Sequence, residues 1–170
     1  DRGGTGYKSA TNLSTTGGNG SGLLVNITVS TGTVNALGGI TAGGSGYAAT
    51  GTGVATTSTG SGAGLTVDFT ATGGVVDSVA INTAGDANYA EGDVITITGA
   101  GANATFTIPS GGVTGPITGV VNAGGGTLYQ ANDVVTVTQS GGATGTLTIG
   151  AVQDTSIAIT EAYDLSLIHI

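Results

Sequence analysis

Tyr89-Ala90-Glu91-Gly92-Asp93-Val94-Ile95-Thr96-Ile97-Thr98 and Tyr129-Gln130-Ala131-Asn132-Asp133-Val134-Val135-Thr136-Val137-Thr138 are two versions of one sentence. Each sets a tyrosine four residues ahead of an aspartate, then alternates apolar side chains with threonine. Alternation at period two, rich in β-branched residues, marks a strand with one buried face. The aspartate just before it suits a turn, where its carboxylate accepts a local backbone N–H. Working outward, Tyr7 and Tyr47 extend the series, so the four tyrosines are spaced by 40, 42 and 40 residues. Gly3-Gly4-Thr5-Gly6-Tyr7 matches Gly43-Gly44-Ser45-Gly46-Tyr47. A fixed period of this length is the mark of a repeat architecture.

Further strands follow the same logic: Leu65 to Phe69, Val75 to Ile81, Thr105 to Ile108 and Leu147 to Ile149. Glycine clusters between them supply the positive φ that hairpin turns need. No segment has helical periodicity, and Pro109 and Pro116 read as loop punctuation. The expected fold class is all-β: an elongated tandem array of about four three-stranded repeats of about 40 residues. The expected units are residues 7–46, 47–88, 89–128 and 129–163, with a tyrosine at each junction. Tyr163 would close a shortened fourth copy.

Composition narrows the function. Glycine supplies 35 of 170 residues, and the chain has two Phe, five Tyr, no Trp and no Met. The core therefore rests on Val, Ile and Leu, at roughly 1.5–3 kcal/mol for each side chain fully buried. Arg2 and Lys8 are the two cations, and the net charge is −8. A groove for nucleic acid needs phosphate-neutralising side chains, so nucleic-acid binding is not expected. No apolar run reaches the roughly 18 residues of a spanning helix. Cysteine is absent, which excludes disulfides and thiolate metal sites.

The sequence from Leu165 to Ile170, Leu-Ser-Leu-Ile-His-Ile, looks like a translated sequencing adapter. Residues 165–170 are thus expected to be a non-native tail on an environmental fragment, with the natural protein continuing beyond Asp164. His169, the one histidine, falls inside it.

Gly-Thr/Ser-Gly-Tyr, then a glycine-rich hairpin, then a strand such as Gly74-Val75-Val76-Asp77-Ser78-Val79-Ala80-Ile81 is a familiar combination. It resembles the glycine- and tyrosine-punctuated repeats of virion structural proteins in tailed bacteriophages, marine ones in particular. The resemblance runs over about residues 3–163 and is strongest from Gly17 to Val29 and from Tyr89 to Thr98. It implies a non-enzymatic structural protein of a phage tail, neck or surface fibre that contributes to host-surface attachment. It also implies a virion location, other virion proteins as partners, and a homo-oligomer, most often a trimer. The alternative is a bacterial extracellular adhesin or matrix repeat protein, which shares the low charge and the Gly/Thr richness.

Candidate sites are few. Tyr7, Tyr47, Tyr89 and Tyr129 are expected to pack their rings over neighbouring hairpins and bond their hydroxyls at the edge. A row of tyrosines could also offer platforms to host-surface glycan. Asp93 and Asp133 are expected to mark the repeat as turn residues. Calcium at Asp86, Glu91 and Asp93 is the sharper reading, since Ca²⁺ takes six to eight oxygen ligands, but the stretch lacks the nonapeptide calcium-repeat pattern. Asp68 with Asp77 is the one carboxylate pair that could be named for hydrolysis. Both fall where outward polar residues of a strand belong. No cofactor and no catalytic residue is expected.

Overall fold

The computed structural model describes residues 2–99 and 101–152. Thirteen strands and no helix occur among them: β1 Ala10–Thr16, β2 Leu24–Thr28, β3 Thr33–Val34, β4 Ile40–Ser45, β5 Thr50–Ser58, β6 Leu65–Thr72, β7 Val75–Ala84, β8 Val94–Ile97, β9 Ala102–Thr107, β10 Val113–Thr114, β11 Gly119–Gly124, β12 Val134–Val137 and β13 Thr146–Thr148. The strands named from alternation all form, and their burial alternates with the pleat: buried Leu65, Val67 and Phe69 in β6 leave Thr66 and Asp68 between them.

The strands assemble into two antiparallel sheets joined by a two-stranded ribbon. The inner unit has the order β4-β9-β8-β5-β6-β7 and uses one continuous stretch of chain. The outer unit has the order β11-β2-β1-β12-β13 and draws on both ends of that stretch. Residues 2–5 extend it beside β13, with Arg2 N–H to the Thr146 carbonyl at 3.0 Å and Thr5 N–H to the Ala143 carbonyl at 3.0 Å. Both sheets curl. In the inner unit Tyr47 N–H reaches the Gly74 carbonyl at 3.1 Å, and in the outer unit Ile117 N–H reaches the Gly3 carbonyl at 2.8 Å.

The two units are copies of each other. Counterparts lie 40 to 42 positions apart in sequence, and the pairing registers coincide. Thr56 faces Ile97 in one unit and Thr15 faces Val137 in the other. Ile95 faces Phe106 and Val135 faces Leu147. Even the irregularities repeat. The β5–β6 ladder bulges between Gly51 and Val54, around Gly53 at φ 61°, and the β1–β2 ladder bulges between Ala10 and Leu13, around Asn12 at φ 55°.

This pairing departs from a sequential array of three-stranded units. Only the stretch 47–88 keeps its three strands, β5, β6 and β7, side by side. Strand β1, expected in the first unit, pairs with β12 of the fourth, and β4 pairs with β9. The cause is local. Thr72-Gly73-Gly74-Val75 is a two-residue hairpin turn with positive φ at both glycines, 60° and 83°. Positive φ at both central positions is the I′ geometry that matches strand twist. The chain folds back on itself there, and the pairs β6–β7, β5–β8, β4–β9, β3–β10, β2–β11 and β1–β12 nest around it, so the inner unit lies within the outer one.

The linking ribbon carries the chain between the units. Val34 pairs with Val113 and Thr33 with Thr114. Both valines are buried with Val29 and Ile108, so one apolar core runs through the junction.

Candidate functional site

The repeat-marking tyrosines occupy two kinds of seat. Tyr7 and Tyr47 form the first. Tyr7 donates its hydroxyl to the Val137 carbonyl at 3.0 Å and accepts the Gly145 N–H at 3.1 Å. Tyr47 donates to the Ile97 carbonyl at 3.4 Å and accepts the Ala104 N–H at 3.1 Å. Each hydroxyl thereby bridges the two strands of a hairpin at its glycine-rich end. Glycine is required beneath the rings: a Cβ on Gly142 would come within 2.5 Å of the Tyr7 ring, and one on Gly101 within 2.6 Å of the Tyr47 ring. Phe69 adds an edge-to-face contact to Tyr47, with centroids 5.3 Å apart and planes at 81°.

Tyr89 and Tyr129 form the second kind. Gly62 and Gly85 hold the Tyr89 ring, and Gly20 and Gly126 hold that of Tyr129, each glycine leaving no room for a Cβ. Tyr89 is buried and its hydroxyl accepts the Leu65 N–H at 3.0 Å. Burial raises the pKa of this phenol, the Leu65 N–H opposes the rise, and the carboxylates of Asp86 and Asp93 add to it. Tyr129 is half-buried.

Asp93 and Asp133 close the turn that leads from these tyrosines into β8 and β12. The Asp93 carboxylate accepts the Ala90 N–H at 3.1 Å and the Ser58 hydroxyl at 3.2 Å. That of Asp133 accepts the Gln130 N–H at 3.0 Å, and also the backbone and side-chain N–H groups of Asn19 at 3.0 and 3.1 Å. The Gln130 and Asn19 bonds favour the charged form and hold the Asp133 pKa below its ordinary value. Preceding each aspartate is a residue at positive φ, Gly92 at 87° and Asn132 at 74°. Glycine and asparagine are the residues that tolerate this conformation.

The other carboxylates have separate duties. Asp86 accepts the Asn88 N–H and side-chain amide and the Ala63 N–H, which lower its pKa in that order of weight. Glu91 accepts the Gly111 N–H at 2.8 Å and the Ser110 hydroxyl at 3.3 Å. Asp86, Glu91 and Asp93 therefore turn to different partners, and among the described residues no group of three acidic, histidine or cysteine side chains could hold a metal ion.

Asp68 accepts the N–H of the bulge residue Gly53 at 2.8 Å. Asn26 does the same for Asn12, also at 2.8 Å. An uncharged amide thus serves in the outer unit where the carboxylate serves in the inner one. Asp77 takes the hydroxyls of Thr70 and Thr72, which lower its pKa in that order. Groups of neighbouring strands thus bond both members of the pair named for hydrolysis, the Asn82 amide also donating to Asp68 at 2.9 Å. Sequence reading missed the bulge-clamping role of Asp68 and Asn26; an Asn or Asp at matching places in two copies was the available signal.

An opening lies beside Tyr129. Leu23, Asn122, Gly126, Tyr129, Ile149 and Val152 are among the residues that line it, around a cavity of about 460 Å³. Among the described residues there is no helix long and apolar enough to cross a membrane. Comparison with protein families, with curated proteins and with solved structures finds no match to this chain. Residues 153–170, including Tyr163 and the segment 165–170, lie outside the described residues.

Proposed function

We propose that this chain is a non-enzymatic structural module of a tailed-phage virion, part of a tail, neck or surface fibre that contributes to host attachment. One observation carries the non-enzymatic part. Asp68, Asp77, Asp86, Glu91, Asp93 and Asp133 each accept hydrogen bonds from their own turns, bulges or strands. A carboxylate serving as general acid or base would instead face a place where a reacting atom could sit. The virion part rests on the resemblance of the tyrosine- and glycine-punctuated repeat.

A homo-oligomer, most often a trimer in fibres of this kind, is part of the same reading. Val120, Val121, Leu128, Val134 and Val152 are large apolar side chains exposed on the outer unit, and association would cover such surface. A bacterial adhesin or matrix repeat protein is the second reading, favoured by the same low content of charged residues and Gly/Thr richness. Antibody raised to the recombinant chain separates the two. Immunogold labelling of purified tailed particles supports the virion reading; label confined to bacterial envelopes overturns it. Sedimentation of the recombinant chain at micromolar concentration tests the assembly, and a lone monomer counts against it.

A further inference from the structure

The two copies of the second tyrosine seat differ in their cover. The linking strand runs beside the Tyr89 backbone. Gly32 donates its N–H to the Tyr89 carbonyl at 2.9 Å, and Val34, two residues on, is buried at the junction. Tyr89, Leu65 and Ile108 are each 1% exposed. Their counterparts in the outer unit are Tyr129, Leu23 and Ile149, and these three line the open groove. Tyr129 and Ile149 are half-buried. Among the described residues no N–H meets the Tyr129 carbonyl, and no donor meets its hydroxyl.

We propose that this groove is a docking site for an extended, uncharged strand from a further unit of the same repeat. A glycine N–H of that strand would bond the Tyr129 carbonyl, and a valine two residues later would cover Tyr129 and Ile149. The occupant is chosen by the molecule itself, because in the inner unit the linking strand bonds the Tyr89 carbonyl through Gly32 and buries Val34 in the same core. The rim agrees with it. Val152 is exposed at the edge of the opening, Val120 is exposed in the adjoining one, and Asn122 and the Tyr129 hydroxyl supply hydrogen-bonding capacity for a backbone. Docking of an extended segment in this manner takes affinity from main-chain bonding and specificity from the side chains it buries. The proposal holds whichever particle or surface the chain belongs to.

The test uses the full chain, labelled with ¹⁵N, and a synthetic peptide of the sequence from Ser30 to Leu37. Titration is expected to give saturable shifts at the amides of Gly126, Tyr129 and Ile149, with those of Leu65 and Tyr89 unmoved. Val152→Lys in the chain, or the change corresponding to Val34→Asp in the peptide, is expected to abolish saturation while the rest of the spectrum is retained. The proposal is overturned by unmoved groove amides, by shifts centred on Tyr89, or by equal binding of the Val34→Asp peptide. Shifts at Tyr129 produced by oligosaccharides but not by the peptide would overturn it in favour of a glycan site.

Discussion

Tyr89 and Tyr129 open near-identical sentences, sit on matching glycines and precede matching aspartates, yet one is core and the other is half-exposed. The inner unit buries Tyr89, bonds its carbonyl to the linking strand and ties its hydroxyl to Leu65. In the outer unit the ring has its seat, and among the described residues it lacks those bonds. The repeat motif therefore specifies where the ring lies and how the chain turns after it. Whether the ring becomes core depends on a strand contributed from outside the motif. The units also differ in filling. The inner unit has Phe69 against Gly51, where a Cβ would come within 2.3 Å of the ring, and the outer unit has Ile27 opposite Ala10. A smaller side chain across the ladder leaves room for the extra methyl group.

Truncating the two rings should separate them most. Tyr89→Ala removes a fully enclosed aromatic ring and should cost about 3–5 kcal/mol, the range for large aromatic side chains cut back in a core. Tyr129→Ala should cost less than half as much, read as the shift in denaturation midpoint. Equal losses would mean that the linking strand does not make the difference.

Removing hydroxyls alone sharpens the contrast. Tyr7→Phe, Tyr47→Phe and Tyr89→Phe each strand buried backbone groups, at about 1–3 kcal/mol. Tyr129→Phe should be neutral within about 0.5 kcal/mol, in line with surface changes that break no named interaction. Thermal melts of the four variants decide this, and a destabilised Tyr129→Phe would break the comparison.

The fold-back turn offers a smaller effect. Gly73 lies at φ 60° with open space around it, so the cost of a side chain there is conformational. Gly73→Val should lose about 1–2 kcal/mol, and Gly73→Asn should lose little, since asparagine suits the I′ turn. Calorimetry of both variants checks the ranking.

The smallest effect is that of pH. Hydrogen bonds from Thr70 and Thr72, from Asn88 and Ala63, and from Gln130 and Asn19 hold the carboxyls of Asp77, Asp86 and Asp133 below the ordinary aspartate value. A depressed carboxylate contributes stability above its unfolded value, and that contribution is lost as pH falls through the folded one. Melting temperature should therefore be flat from about pH 7 to about pH 5 and decline below about pH 4. Asp133→Asn should flatten part of that decline; a variant with the parental profile would show that the Gln130 and Asn19 bonds carry no charge preference.

Much of the local structure was legible from sequence. Alternation placed β6, β7, β8, β12 and β13, and the tyrosine spacing exposed the repeat. The turn ahead of β8 and β12 could be read from Asp93 and Asp133, because a short carboxylate next to a glycine or asparagine has few other uses. Pairing order was not legible. A period records that segments are alike; it does not record which copy meets which, and β1 could satisfy its backbone equally well against several Thr/Val strands. The tight Gly73-Gly74 reversal and the size match of Phe69 with Gly51 and Ile27 with Ala10 held that information, but only once the two units could be set side by side. The uneven cover of Tyr89 and Tyr129 was hidden for the same reason.

The reversal at Gly73-Gly74 also sets an order of assembly. The Tyr47 hydroxyl and its Ile97 partner are 50 residues apart in the chain, whereas Tyr7 and Val137 are 130 apart. Closing the longer loop from an open chain costs roughly 0.8 kcal/mol more in entropy. Once the inner unit has formed, Ile40 stands opposite Phe106 and the remaining gap is short. On a ribosome the inner unit can be completed while β1 and β2 still wait for β11 and β12 to be made. A pull on the two arms beside Arg2 and Thr146 would meet the same order reversed, opening the outer unit while the inner one held.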